Sequence, residues 1–155
     1  MTSPQLEFNR ELLGKEFPSG TFHVEKEQIL AYCQAVGETS PIYTDDEAAR
    51  RAGYRSLVAP PGFSNLLVRA TGRPNIGLKF SATTMHASQA VESFLPIQAS
   101  DTLEARTRLK DVYAKTGRTG TMVFIVWETL FTNQEGKTVA AVSSSFVHRP
   151  RHPGT

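Results

Sequence analysis

Cysteine is almost missing from this chain: Cys33 stands alone among 155 residues. One thiol forms no intrachain disulfide, and a metal site built on several thiolates is excluded with it. An excess of one charge sign is missing too. The 17 basic residues meet 15 acidic ones, for a net charge of +2, so the chain carries no electrostatic footprint for nucleic acid. No apolar run approaches the ~20 residues of a membrane span. The first residues, Met-Thr-Ser-Pro-Gln-Leu-Glu-Phe, lack the basic segment and apolar run of a secretory signal. A cytoplasmic protein with no nucleic-acid partner and no membrane partner is expected. There is no internal repeat.

What is present is an ordinary globular composition, 39% hydrophobic and 21% charged, long enough for one domain. Residues 1–15 read as a polar arm or short helix, 16–149 as the domain and 150–155 as a disordered tail. Phe17 to Val24 alternates like a strand. Glu25 to Val36 places Ile29, Leu30, Cys33 and Val36 on one helical face, which makes Cys33 a small buried hydrophobe. Gly37 stops that helix. Thr44 is placed to cap a second helix to Ala52, with Glu47 completing a capping box. Asp45, Asp46 and Glu47 are then first-turn acids favoured by the helix dipole, not metal ligands. Pro61 suits the first turn of a third helix running to Thr71. Its apolar face is Phe63, Leu66, Leu67 and Ala70.

After Thr84 the period changes. Thr84 to Phe94, Thr102 to Tyr113, Thr119 to Thr132 and Lys137 to Val147 read as strands, separated by turn-rich segments. Helices first and antiparallel strands afterwards give an α+β class. A meander is expected, bent round the third helix, which is a single hot-dog fold. Lys115-Thr-Gly-Arg-Thr-Gly lies between strands rather than before a helix, so it is not a phosphate-binding loop.

The chemistry concentrates between Ala35 and Phe63. The chain reads Gly37-Glu38-Thr39-Ser40-Pro41-Ile42-Tyr43, then Ala59-Pro60-Pro61-Gly62-Phe63. This resembles the Gly-Asp-x-Asn-Pro-aliphatic-His motif of the MaoC-like (R)-specific enoyl hydratases and 3-hydroxyacyl dehydratases. Phe94-Leu-Pro-Ile-Gln-Ala-Ser-Asp-Thr-Leu103 is similar to the family's apolar-Pro-Val-x-x-Gly-Asp-x-Leu turn. His86-Ala-Ser-Gln89 and the ending Val142-Ser-Ser-Ser-Phe-Val-His-Arg149 extend the resemblance to most of the chain. It is closest to the N-terminal dehydratase domains and to HadA-like accessory subunits of paired dehydratases.

The resemblance implies an acyl-thioester substrate, on CoA or an acyl carrier protein, and no cofactor. It implies hydro-lyase chemistry, in which a carboxylate and a histidine act around one water, and a homodimer or a heterodimer with a catalytic hot-dog subunit. In this chain Glu38 and Tyr43 stand at the two catalytic positions. Glu38 is either a displaced carboxylate base or a solvated loop acid. Tyr43 is a poor base at neutral pH, so it either donates a hydrogen bond or packs the loop. Pro61 stands where family members place the glycine whose N–H serves the thioester oxygen, and proline has no N–H. Gly62 or Phe63 is left to supply that donor. His86 is either a pocket histidine or a structural one. These replacements point to a substrate-binding subunit of a (3R)-hydroxyacyl dehydratase or 2-enoyl hydratase. A non-catalytic acyl-binding scaffold is the alternative, and a hot-dog thioesterase a weaker one.

Overall fold

The computed structural model describes residues 6–80 and 82–150. Residues 151–155 of the expected tail lie outside them. The chain forms β1 (Glu16–His23), α1 (Lys26–Val36), α2 (Pro41–Thr44), α3 (Asp46–Arg51), a 3-10 turn (Pro61–Phe63) leading into α4 (Ser64–Val68), then β2 (Ala82–Ser93), β3 (Thr102–Gly117), β4 (Gly120–Thr132) and β5 (Thr138–Pro150). All strand pairings are antiparallel, in the order β1-β3-β4-β5-β2. This is the expected α+β hot-dog architecture. No helix among the described residues is long and apolar enough to cross a membrane.

The meander is confined to β3, β4 and β5. β2 crosses to the far edge and pairs with β5 rather than β3. Its connection to β3 runs across the end of the sheet, where Phe94 and Leu95 N–H both donate to Val139 O. The central helix is shorter than Pro61 to Thr71. It tapers through i→i−3 bonds from Ala70 to Leu67 O and from Thr71 to Val68 O, tighter turns typical of helix ends. Its buried face is Phe63, Ser64, Leu67 and Val68. Leu66 is 47% exposed, and Ala70 is exposed as well. Four-residue spacing from Phe63 and Ser64 turns the neighbouring Leu66 outward. Val36 is 57% exposed, because the face of α1 centres on Ile29 and Cys33. The cap of α3 is Asp45, whose Oδ1 accepts from Glu47 N–H at 3.1 Å. Thr44 instead donates its hydroxyl back to Ser40 O at 3.1 Å.

One face of the sheet carries two apolar clusters. Leu103, Ala105, Phe131 and Val142 pack under α1 and α4. Leu109, Ile125 and Trp127 pack under Ile76, Phe8 and Leu12. The second cover is held by Asn9 N–H to Ile76 O at 2.7 Å and Gly14 N–H to Leu109 O at 2.9 Å, so the N-terminal arm is docked from Phe8 onward. Between the clusters runs a polar strip. Thr107 and Thr129 are fully or almost fully buried, and their hydroxyls bond each other at 2.9 Å. Thr107 also donates to Ser19 Oγ at 2.7 Å.

The β2–β3 connection is fixed by a buried carboxylate. Asp101 is 2% exposed. It accepts from Arg55 Nη2 at 2.6 Å, Gln98 N–H at 2.9 Å and Gln134 Nε2 at 3.0 Å. The residue before it, Ser100, has φ of 73°. A side chain there costs about 1–2 kcal/mol, and the matching family position is glycine. Ser100→Gly is therefore expected to stabilise the chain by about 0.5–1 kcal/mol after the entropic cost of glycine is subtracted. Thermal unfolding should show this as a rise in Tm of about 1–4 °C.

Candidate functional site

The motif loop starts at the end of α1. Gly37 takes a left-handed φ of 75°, and Glu38 N–H donates to Cys33 O at 2.8 Å. Glu38 Oε1 then accepts from Ser40 N–H at 3.0 Å, which folds the loop back so that Pro41 can open α2. The carboxylate thus closes a turn in its own loop. Cys33 lies beneath, 1% exposed, with Sγ 3.6 Å from Tyr43 O. Burial pushes the thiol pKa up, and the nearby Glu38 charge adds to the shift. Cys33 is therefore no activated nucleophile.

The loop is tied to the start of the central helix. Val58 N–H donates to Ile42 O at 3.1 Å, and Ala59 N–H to Ile97 O at 2.7 Å. These bonds enclose a small cleft of about 190 Å³, lined by Tyr43, Tyr54, Pro60, Pro61, Phe94 and Leu95 among others. Tyr43 is half-buried and its ring also packs against the main core. Pro61 is exposed at the cleft rim. Glu38 is not among the lining residues.

Phe63 points away from this cleft. Its side chain is 1% exposed in the core, edge-on to Tyr32 at 5.8 Å between centroids. Its N–H is already donated to Pro60 O at 2.9 Å, so it is not available as a donor to a ligand. Gly62 N–H has no partner among the described residues. Gly62 is itself dictated by Tyr32: a Cβ at this position would collide with the Tyr32 hydroxyl oxygen, while Tyr32 Cζ stands at 3.5 Å.

His86 belongs to a second, larger cleft of about 650 Å³ on the other side of α4. A bulge between His86 and Ser88 turns both His86 and Gln89 onto its face. The His86 ring stands edge-on to Phe146 at 5.4 Å. Gln89 Nε2 bonds Asn65 Oδ1 and so ties the edge strand to α4. The structure therefore brings Tyr43 and Pro61 together, puts His86 elsewhere, and leaves Glu38 lining neither cleft. Sequence reasoning missed Tyr32, whose role is visible only once α1 lies over Gly62. It also missed Arg69 and Arg73, which line the larger cleft.

A five-stranded antiparallel sheet on a short central helix, with a motif loop tied to the helix start, defines a hot-dog unit of the hydratase and dehydratase kind. The family is FAS1-like, dehydratase domain region: its model matches residues 11–142, and the chain belongs to it. The UPF0336 protein of Saccharopolyspora erythraea is 31% identical over 147 residues, covering 91% of each chain. A UPF0336 protein of Parafrankia sp. is 30% identical over 151 residues, covering 94% of this chain and 97% of the relative. Among solved structures, the C-terminally truncated HadBC (3R-hydroxyacyl-ACP dehydratase) complex of Mycobacterium tuberculosis aligns with TM-score 0.72 and 24% identity, over 90% of this chain and 98% of that one. A MaoC-like dehydratase aligns with TM-score 0.78 and 23% identity, over 90% of this chain and 42% of that one. These two structures establish a shared fold.

The Gly62–Tyr32 contact makes a coupled prediction. Gly62→Ala should cost about 1–3 kcal/mol by overpacking. Tyr32→Phe removes the colliding oxygen, so the double variant should recover most of that loss. Denaturant unfolding of the four proteins gives the coupling; additive effects would disprove the contact.

Proposed function

We propose that this chain is the substrate-holding subunit of a hydro-lyase that acts on acyl thioesters carried by CoA or an acyl carrier protein. A second hot-dog chain supplies the acid–base groups. The observation that carries this reading is the position of Glu38. Its Oε1 is engaged by Ser40 N–H in its own loop, and it lines neither cleft.

Dehydration of a 3-hydroxyacyl thioester removes a proton from the α-carbon and expels the hydroxyl group as water. A base must reach the α-proton, an acid must protonate the leaving oxygen, and donors must hold the thioester oxygen as charge gathers there. The small cleft offers Tyr43 as a hydrogen-bond donor and apolar walls from Pro60, Phe94 and Leu95. It has no carboxylate or imidazole. Of the N–H groups at the helix start, Pro61 has none and that of Phe63 is taken, which leaves Gly62 as the available donor. Such a cleft suits binding and alignment better than proton transfer.

Pairing with a second hot-dog chain follows from the sheet edge. The β2 residues 83–90 are all exposed, and β2 has only β5 beside it. A long bare edge strand is an aggregation hazard unless covered. HadBC, which shares the fold, is by its name a dehydratase complex. If the chain self-pairs, light scattering should report about twice 17.1 kDa; if not, it should report a defined mixed dimer once the partner is added.

Alone, the purified chain is expected not to hydrate crotonyl-CoA above background. With a hot-dog partner carrying an Asp/His motif, turnover should appear. In that complex Glu38→Gln should leave turnover within about twofold, whereas loss of a true acid–base group costs about 100-fold or more. The Gln variant keeps an oxygen to accept from Ser40 N–H, so the loop is preserved. Tyr43→Phe should cost no more than one hydrogen bond, about 0.5–1.5 kcal/mol. An isolated chain that turns over and is silenced by Glu38→Gln would make Glu38 the base and overturn the proposal.

A further inference from the structure

The larger cleft differs in chemistry from the motif-loop cleft. It lies over the polar strip of the sheet, between the two apolar clusters. Thr129 and Ser144 line it, next to the aromatic side chains of Trp127 and Phe146. Its volume of about 650 Å³ falls within the usual range for a small-molecule site, about 300–1,000 Å³. Two guanidinium groups line it, Arg69 and Arg73, yet none of the chain's 15 acidic residues does.

Arg50, Arg55, Arg106 and Arg108 all pair with carboxylates. Arg69 and Arg73 have no carboxylate partner among the described residues. Arg10, Arg51, Arg118 and Arg149 have no carboxylate partner among the described residues either, and like Arg69 and Arg73 they are exposed, but they line neither cleft. Arg73 lies over an aromatic wall, with Cζ 4.4 Å from the centroid of the Phe146 ring. Contact with that apolar wall desolvates the guanidinium and lowers its pKa, though an arginine so placed stays charged. A cation partly stripped of water gains most from an anion that brings paired donors and acceptors. The nearby histidines, His86 in the cleft and His148 in the adjoining groove with Arg73 and Phe146, bring no negative charge. The amides of Asn65 and Gln89 close the edge-strand side of the cleft.

We infer that this cleft binds an organic anion with an apolar body, its carboxylate or phosphate held by Arg69 and Arg73 and its apolar portion resting on Trp127 and Phe146. The anion is either a carboxylate on the acyl group or a phosphate of the thioester carrier. The choice of these two anions rests on the thioester reading, but the test needs neither a partner chain nor turnover, so the two can fail separately.

Trp127 is the only tryptophan in the chain, so its fluorescence reports on the cleft directly. The full-length protein is titrated with 4-phenylbutyrate and its neutral isostere 4-phenylbutanamide, and with pantetheine 4′-phosphate and pantetheine. At least one anion should give a saturable change, with affinity about tenfold or more above its neutral counterpart, the range for hydrogen bonds to a charged group. The pair that shows the preference identifies the source of the anion. The double variant R69Q/R73Q, checked for native circular dichroism, should abolish the preference; if it misfolds, loss of the wild-type preference in rising salt takes its place. No saturable response to either anion, equal binding of anion and neutral analogue, or a preference that survives charge removal would each overturn the proposal. A cleft filled by an acidic side chain of another protein chain would appear as the first of these.

Discussion

Asp101 is where the segments around the motif-loop cleft converge. Burying a carboxylate costs several kcal/mol unless its oxygens find donors. Here one oxygen takes Arg55 and Gln134, and the other takes the backbone of Gln98. Arg55 belongs to the run that leads into the central helix, Gln98 to the β2–β3 connection, and Gln134 to the β4–β5 turn. Gln134 also accepts from Thr102 N–H at the start of β3. The arrangement is sensitive to loss of the carboxylate mainly through the backbone and amide donors it would strand. Arg55 is half exposed and can turn to water, so its ion pair alone contributes little.

The same clamp explains why the helix start is rigid enough to form a cleft. With residues 97–101 fixed, Ala99 N–H reaches Leu57 O and Ala59 N–H reaches Ile97 O. Val58 N–H is then left to hold the motif loop through Ile42 O. The motif loop thus sits at the end of a chain of hydrogen bonds that begins at a buried charge far along the sequence, Asp101. The larger cleft has another origin. It opens where the two hydrophobic covers of the sheet fail to meet, over Thr129 and Ser144. Buried hydroxyls that bond one another can floor such a gap without the penalty of unsatisfied groups.

The sequence was most legible where periodicity is long. Leu103, Ala105, Thr107 and Leu109 alternate inward as their spacing demands, and the strands from β3 to β5 lie close to their expected limits. The α1 stop at Gly37 was legible for the same reason: one residue type serves that backbone. Short elements were less readable. Ser, Thr and Asp are all good caps, so Thr44 and Asp45 compete on local grounds, and only the geometry of the α2–α3 corner assigns the role to Asp45. The position of β2 was hidden because its exposed residues carry almost no burial pattern. At the site, the motif residues could be found by spacing, but what their side chains do could not. Phe63 is core, as its place on the apolar face of the third helix implied, but Glu38 is a turn-former. The arginines of the larger cleft lie in no motif, and only the fold shows that they line it with no carboxylate beside them in the lining.

Under the proposed reading, a hot-dog unit with Glu38 and Tyr43 at the two motif positions keeps the features that bind rather than those that react. The residue types on the two clefts divide this way. The smaller cleft keeps apolar walls and a tyrosine hydroxyl, which can align a ligand without moving a proton. Catalytic groups must be held to within fractions of an ångström of the reacting atoms, whereas recognition of an anion by two arginines tolerates more freedom. On that reading, Glu38 and Tyr43 at the positions where the resemblance places Asp and His bear on the demanding function first. What they spare is the scaffold around Asp101, on which both the shape of the smaller cleft and the seating of the motif loop depend.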